Sequence, residues 1–233
     1  MGKEVSVVIP CLNEEKGVGV CISKILEVFS EFEIDGEIII VDNGCTDNTV
    51  EVVKTFSDLD DRIKIVSQPI KGYGNAYLAG FSIVEGEIVI IGDADNSYDF
   101  YEIPRFLFEI EKGNDFVIGN RKIIKRGSMP FLHRYIGRPM FSILLRSLFG
   151  LKISDSHCGF GAIKKDALDK LHLKSSGMEF ASEILIKAKK NNLIIKEVPI
   201  VYSPRFGKSK LRTFKDGARH LRLISGELLS PSY

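Results

Sequence analysis

The chain has 233 residues, 44% of them hydrophobic, with a formal net charge of +1 and no tryptophan. That length suits one sizeable α/β domain, or one domain with an extension. The balanced charge gives no reason to expect a nucleic-acid partner, and no apolar run approaches the roughly 18 residues that a membrane span needs.

In chain order, Val5-Ser6-Val7-Val8-Ile9 reads as a first strand ended by Pro10, so the chain enters structure almost at once and no signal peptide is expected. Residues 14–30 follow as a helix, with Val18, Cys21, Ile22, Ile25, Leu26 and Phe29 on one face. Glu37-Ile38-Ile39-Ile40-Val41 is a second strand. It runs into Asp42-Asn43-Gly44-Cys45-Thr46-Asp47, where Thr46 is a natural N-cap for the next helix. A third strand covers 62–66, and Lys71-Gly72-Tyr73-Gly74-Asn75-Ala76 opens a helix reaching about Val84. Glu87-Ile88-Val89-Ile90-Ile91 is an apolar, β-branched run that reads as a buried parallel strand, and it ends in Gly92-Asp93-Ala94-Asp95-Asn96. A helix over 103–111 and a strand over 116–118 complete an alternation that predicts a parallel, doubly wound sheet with helices on both faces.

The organisation changes after Arg121. Beyond it, up to Ser154, there are seven Lys/Arg and no Asp or Glu; from Arg205 to Arg222 there are seven more, against Asp216 alone. The second half is therefore basic, which suits an anionic surface or ligand. Residues 131–149 predict a helix that is broadly apolar and carries only positive charge, the pattern of a helix lying at a membrane interface. A loop at 155–161 enters a short strand, 178–191 is helical, and 194–202 is extended but interrupted by Pro199. A basic loop at 205–211 leads into a basic helix from about Thr213. Cys11, Cys21, Cys45 and Cys158 lack metal-site spacing and read as reduced thiols.

Four polar loops follow strands: 10–14, 42–47, 71–75 and 93–96. In a parallel sheet they converge on one edge, where α/β folds bind their ligands. Asp93 and Asp95 there form a hard-oxygen pair suited to Mg or Mn beside a substrate diphosphate.

Together these loops, with 155–160 and 205–211, resemble glycosyltransferase family 2 and its GT-A fold over nearly the whole chain. Within it, the polyprenyl-phosphate sugar synthases of the dolichol-phosphate mannose and glucose type are similar. The resemblance implies that Pro10, Leu12, Asn13 and Glu14 line the nucleoside pocket, that Asp42 and Asn43 meet the base, and that Lys71 and Gly72 sit beside the nucleotide. It implies that Asp93 and Ala94 border the ribose, and that Asp93 and Asp95 hold a divalent metal against the diphosphate. Relatives often carry a second Asp where this chain has Asn43, which leaves the base open; the mannose-type enzymes often carry Gln where it has Ser97, which argues against mannose, so UDP-glucose is the preferred donor and GDP-mannose the second.

The chemistry asks for cations to neutralise the departing diphosphate. Arg205, Lys208 and Lys210 are the candidates. A hydroxyl acceptor needs a base, whereas a phosphate monoester is largely ionised at neutral pH and needs only positioning, for which arginine is suited. Arg121 and Arg134, or Arg138, are candidates for that clamp, and Asp155 either orients it or acts as base. Glu183 is read either as an acceptor-site group or as a helix charge, and His157 as a loop residue without a catalytic part. The expectation is an inverting, metal-dependent hexosyltransferase acting on a polyprenyl phosphate from the cytoplasmic face of a membrane. Its alternatives are transfer to a soluble or polysaccharide hydroxyl with Asp155 as base, and a non-catalytic nucleotide-binding module. Residues 1–212 are taken as one domain, with a nucleotide half to 120 and an acceptor half beyond, followed by the basic helix of 213–233.

Overall fold

The computed structural model describes residues 3–207, 209, 210 and 212–229. Among these, seven strands form one sheet in the order β3-β2-β1-β4-β6-β5-β7. They are β1 (Val5–Cys11), β2 (Gly36–Asp42), β3 (Ile63–Ser67), β4 (Ile88–Ile91), β5 (Phe116–Ile124), β6 (Gly161–Lys164) and β7 (Ile195–Tyr202). The central strands are apolar on both faces because helices cover both. Val5, Val7, Val8 and Ile9 of β1 and Ile38, Ile39 and Ile40 of β2 are buried.

The helices are α1 (Val18–Glu31), α2 (Thr49–Ser57), α3 (Tyr73–Phe81), α4 (Ile103–Glu111), α5 (Arg138–Phe149), α6 (Lys165–Lys170), α7 (Phe180–Lys190) and α8 (Thr213–Leu229). The helix expected over 131–149 is present, but its first part is a wide π-helical turn, His133–Gly137, that runs into α5. α3 lies close on the sheet because it is built from small residues; a Cβ at Gly80 would stand 2.4 Å from Val8 Cγ1.

Some details differ from the sequence reading, among them that the first helix begins at Val18 and not at residue 14. Pro199 does not interrupt its strand: β7 is an edge strand paired in parallel with β5 along its length, and an edge tolerates a residue without an N–H. Thr46 does not cap α2. Its N–H and hydroxyl are tied to Asn13, while Asp47 accepts the Thr49 N–H at 3.1 Å.

β1, β2, β3 and β4 run in parallel, and β6 lies antiparallel between β4 and β5. The chain therefore switches direction across the sheet between β1 and β4, and the opening beyond their carboxyl ends is where the polar loops gather.

Candidate active site

The loops at the carboxyl ends of β1 and β2 are fastened to each other. Asn13 adopts a left-handed backbone, φ 58°, and its Oδ1 accepts the Thr46 N–H at 2.7 Å. Asp42 Oδ1 accepts the N–H groups of Gly44 (3.1 Å) and Cys45 (2.8 Å), so this carboxylate shapes its own turn. Asn43 is buried. Its amide donates to the carbonyls of Gln68 (2.9 Å) and Ile70 (3.0 Å), and its Oδ1 accepts the Gly72 N–H at 2.7 Å. The side chain expected to meet the base is thus committed to holding the 68–72 loop against the end of β2. Pro10 does not end β1, which pairs Pro10 with Val41 and runs on through Cys11; Leu12 is half-buried and Lys71 is exposed beside Gly44.

Asp93-Ala94-Asp95 leaves β4 in the same opening. Ala94 is buried, and its carbonyl oxygen would lie 2.3 Å from a Cβ at Gly17, so the entry to α1 accepts only glycine. The Tyr73 hydroxyl donates to Asp93 Oδ1 at 3.1 Å. Asp95 Oδ1 accepts the Ser97 N–H at 2.9 Å, and its Oδ2 pairs with Arg205 at 2.9 Å. Burial, and then the Asp95 charge, push the Asp93 carboxyl up to about 7, against the opposing Arg205 and Tyr73. Two neighbouring carboxylates that resist simultaneous ionisation call for more positive charge than one arginine supplies. A divalent ion with oxygen preference fits that donor set, and both Mg and Mn meet the requirement.

The segment after β7 lies along this tripeptide. The Ser203 N–H bonds the Ser97 carbonyl at 3.0 Å and the Phe206 N–H bonds the Asp95 carbonyl at 2.9 Å. Lys210 then crosses to the other lip, donating to Glu14 Oε1 at 2.7 Å and to the Asn13 carbonyl at 3.0 Å. Burial raises the Glu14 carboxyl despite that lysine. Arg205 and Lys210 thus hang from one segment over one opening. Lys208 lies outside the described residues.

On the far side of the sheet, Arg121 of β5 is buried and forks onto Asp155, with Nε to Oδ2 and Nη2 to Oδ1 both at 2.7 Å. Arg138, at the start of α5, donates to the Arg121 carbonyl at 3.0 Å and stands 3.4 Å from Asp155. Glu197 of β7 holds the Asp155 loop by accepting the N–H groups of Ser154 (2.7 Å) and Asp155 (2.9 Å). Asp155 is 0% exposed. Burial alone would raise its carboxyl, but the charge and hydrogen bonds of Arg121 outweigh it and hold the group below the usual range.

Of the two readings of Asp155, base or orienting residue, this geometry favours the second: both oxygens of the enclosed carboxylate are on a guanidinium and turned from an acceptor's proton. Its geometry is that of an orienting residue. Arg134 stands apart from the pair, with its guanidinium 5.3 Å from the centre of the Tyr135 ring, while Arg138, one turn on, reaches it. Glu183 is buried, accepts the N–H groups of Lys174 and Ser175 and pairs with Lys187 at 2.8 Å, which makes it part of the scaffold.

Sequence reasoning missed Tyr73 and Glu197. Tyr73 stood inside a quoted motif, so its hydroxyl at a helix start was the available signal. Glu197 gave none, since its partners lie about forty residues upstream.

The basic apolar helices meet where His133 Nε2 and Thr213 Oγ1 lie 2.9 Å apart. Around them Phe131, Leu132, Tyr135, Ile136, Met140 and Phe214 are exposed, Phe214 to 88%. Among the described residues no helix is long and apolar enough to cross a membrane.

Comparison with known proteins identifies the family and the fold. The profile of glycosyl transferase family 2 matches residues 6–172. The low-salt glycan biosynthesis hexosyltransferase Agl6 of Haloferax volcanii is 39% identical over 222 residues, covering 94% of this chain and 52% of that protein. This chain therefore spans about half the length of Agl6. The uncharacterized glycosyltransferase Rv0539 of Mycobacterium tuberculosis is 30% identical over 211 residues, 90% of each chain. Among solved structures, glucosyl-3-phosphoglycerate synthase from Mycobacterium tuberculosis, in complex with Mn2+, uridine diphosphate and phosphoglyceric acid, superposes with a TM-score of 0.75. It is 20% identical and covers 98% of this chain and 80% of that one, a likeness that shows the shared GT-A fold. With its sheet order, its paired carboxylates at the end of β4 and a profile match over most of its length, the chain belongs to glycosyl transferase family 2.

Proposed function

We propose that this chain is an inverting, metal-dependent hexosyltransferase that moves a sugar from a nucleotide diphosphate donor, UDP-glucose in first place, to a polyprenyl phosphate at the cytoplasmic face of a membrane. The observation that carries the acceptor assignment is the enclosure of Asp155 by Arg121 and Arg138. A hydroxyl acceptor would need a base on that side, and neither Asp155 nor Glu183 is available as one. A phosphate acceptor arrives ionised and needs cations to position it. The donor assignment is supported by the Mn2+ and UDP complexes of glucosyl-3-phosphoglycerate synthase.

In this reading the loops at 10–14, 42–47 and 71–75 hold the nucleoside. Asp93 and Asp95 would hold a divalent ion, which when bound would supply charge neutralisation for the leaving diphosphate. Arg205 and Lys210 add positive charge at the same opening, and their segment excludes water when it closes. An oxygen of the acceptor phosphate, steered by Arg138 and Arg134, attacks the anomeric carbon on the face opposite the diphosphate. The bond from that carbon to the diphosphate oxygen breaks, its electron pair stays on the nucleotide, and configuration inverts in one displacement. The exposed apolar face around Phe131 and Phe214, rimmed by basic residues, suits the lipid surface from which such an acceptor comes.

The test is a panel of nucleotide sugars with Mn2+ or Mg2+ and vesicles containing polyprenyl phosphate, with lipid products identified by mass. A hexosyl polyprenyl phosphate is expected, absent in Asp95→Ala. Arg134→Ala and Arg138→Ala are expected to lose transfer yet keep nucleotide binding. Sugar transfer only to hydroxyl acceptors would overturn the acceptor assignment.

A further inference from the structure

The first turn of α3 is connected to both ends of the donor opening. On one side the Gly72 N–H bonds Asn43 Oδ1, and on the other the Tyr73 hydroxyl bonds Asp93. Something must hold that turn in place, and it is the turn at residues 175–179. The Asn75 N–H donates to the Ser176 carbonyl at 3.1 Å. The two backbones are so close that a Cβ on Gly72 would stand 2.1 Å from the Ser176 carbonyl oxygen, and one on Gly74 would stand 1.9 Å from that of Ser175. Glycine at both positions is what allows the contact.

The 175–179 turn is in turn gripped from α8. Arg219 donates from Nη2 to Ser176 Oγ at 2.9 Å and to Glu179 Oε1 at 2.9 Å, and its Nε pairs with Glu179 Oε2 at 2.8 Å. Glu179 Oε1 also accepts the Gly177 N–H at 3.2 Å. Gly177 forms the floor under the guanidinium, since a Cβ there would lie 2.5 Å from Arg219 Cζ. Arg219 thus ties two points of the turn together, with Nη2 bonded to Ser176 and to Glu179 and the ion pair to Glu179 beside them.

We infer that Arg219 of α8 is a positioning residue for the donor pocket, acting through the Ser176–Glu179 turn that backs Gly72 and Gly74. Its side-chain partners are Ser176 and Glu179, not the loops of the donor opening themselves. It sets where the α3 turn stands, and so the spacing between the Asn43 side and the Asp93 side of the opening. The inference rests on the proposed donor site at those loops.

The test measures binding of UDP and UDP-glucose with Mn2+ by titration calorimetry in the full chain, with thermal melting and acceptor KM alongside. Arg219→Ala is expected to weaken nucleotide binding and raise donor KM roughly tenfold, as loss of outer supports of a site does, while acceptor KM stays within twofold. Arg219→Lys keeps an ion pair with Glu179 but not the fork onto Ser176, and is expected to recover only part of the affinity. Gly177→Ala displaces the guanidinium while leaving every partner present, and is expected to reproduce Arg219→Ala. Should Arg219→Ala fail to fold, Arg219→Lys and Gly177→Ala decide the matter.

Unchanged nucleotide affinity in folded variants overturns this role for Arg219. So does an equal rise of donor and acceptor KM, which marks a merely structural part. Failure of the wild-type chain to bind any nucleotide would instead remove the donor-site reading itself.

Discussion

Arg121 and Asp155 illustrate how much a buried pair can demand of its neighbours. Removing one partner of such a pair leaves an uncompensated charge inside the protein, a loss of about 3–5 kcal/mol. Arg121→Ala is therefore expected to lower the urea midpoint sharply, and Arg121→Met combined with Asp155→Leu to recover much of the loss; both are read from equilibrium unfolding. The double variant is expected to lack transfer all the same, because Arg138 loses the carboxylate it rests on. At this scale the sequence was informative about residue type and uninformative about partner. Arg121 after a strand and Asp155 in a loop could each be singled out. Their fork-to-carboxylate geometry spans 34 positions and left no local trace. Asn43 reads the same way: an amide where relatives carry a carboxylate was visible, but its commitment to the 68–72 backbone was not.

At the scale of elements, α5, α7, α8 and the 155–159 loop meet at two histidines. His157 Nε2 lies 3.3 Å from His220 Nδ1, Ser182 Oγ lies 2.8 Å from the latter, and Phe141 packs against both rings. Burial lowers the His220 imidazole to about 4, against the opposing charges of Glu179 and Asp216, and burial and then His220 hold His157 well below its ordinary value. The unfolded chain takes up a proton near 6.5 while the folded one does not until about 4. Stability is therefore complete above 6.5 and is lost as pH falls towards 4, by about 3 kcal/mol for His220 alone. Urea unfolding at pH 7 and pH 5 is expected to show this slope, and His220→Asn to flatten it. The helices that meet here were legible from apolar spacing. The histidine pairing was not, since the two residues are 63 positions apart.

At the scale of the whole molecule, the uneven charge of the chain becomes a surface. The π-helical turn before α5 and the first turn of α8 bring Phe131 and Phe214 to the same side, with basic residues around them. Phe131→Ser with Phe214→Ser is expected to lower partitioning onto anionic vesicles several-fold in sedimentation, with no change in nucleotide affinity. The parallel core over β1 to β4 was legible because apolar runs alternated with amphipathic helices. The placement of β6 was not: four residues, Gly161–Lys164, carry too little pattern to announce that they insert antiparallel between β4 and β5. That insertion also governs how the protein can be assembled. β5 reaches the rest of the sheet only through β6, so a fragment ending near residue 120 would leave β4 with a bare edge and β5 with nothing to pair with. During synthesis, then, β5 stays unjoined to β4 until Lys164 has cleared the ribosome, the sheet is complete only once β7 has followed through Tyr202, and a cut near residue 120 is expected to leave neither half with a whole sheet.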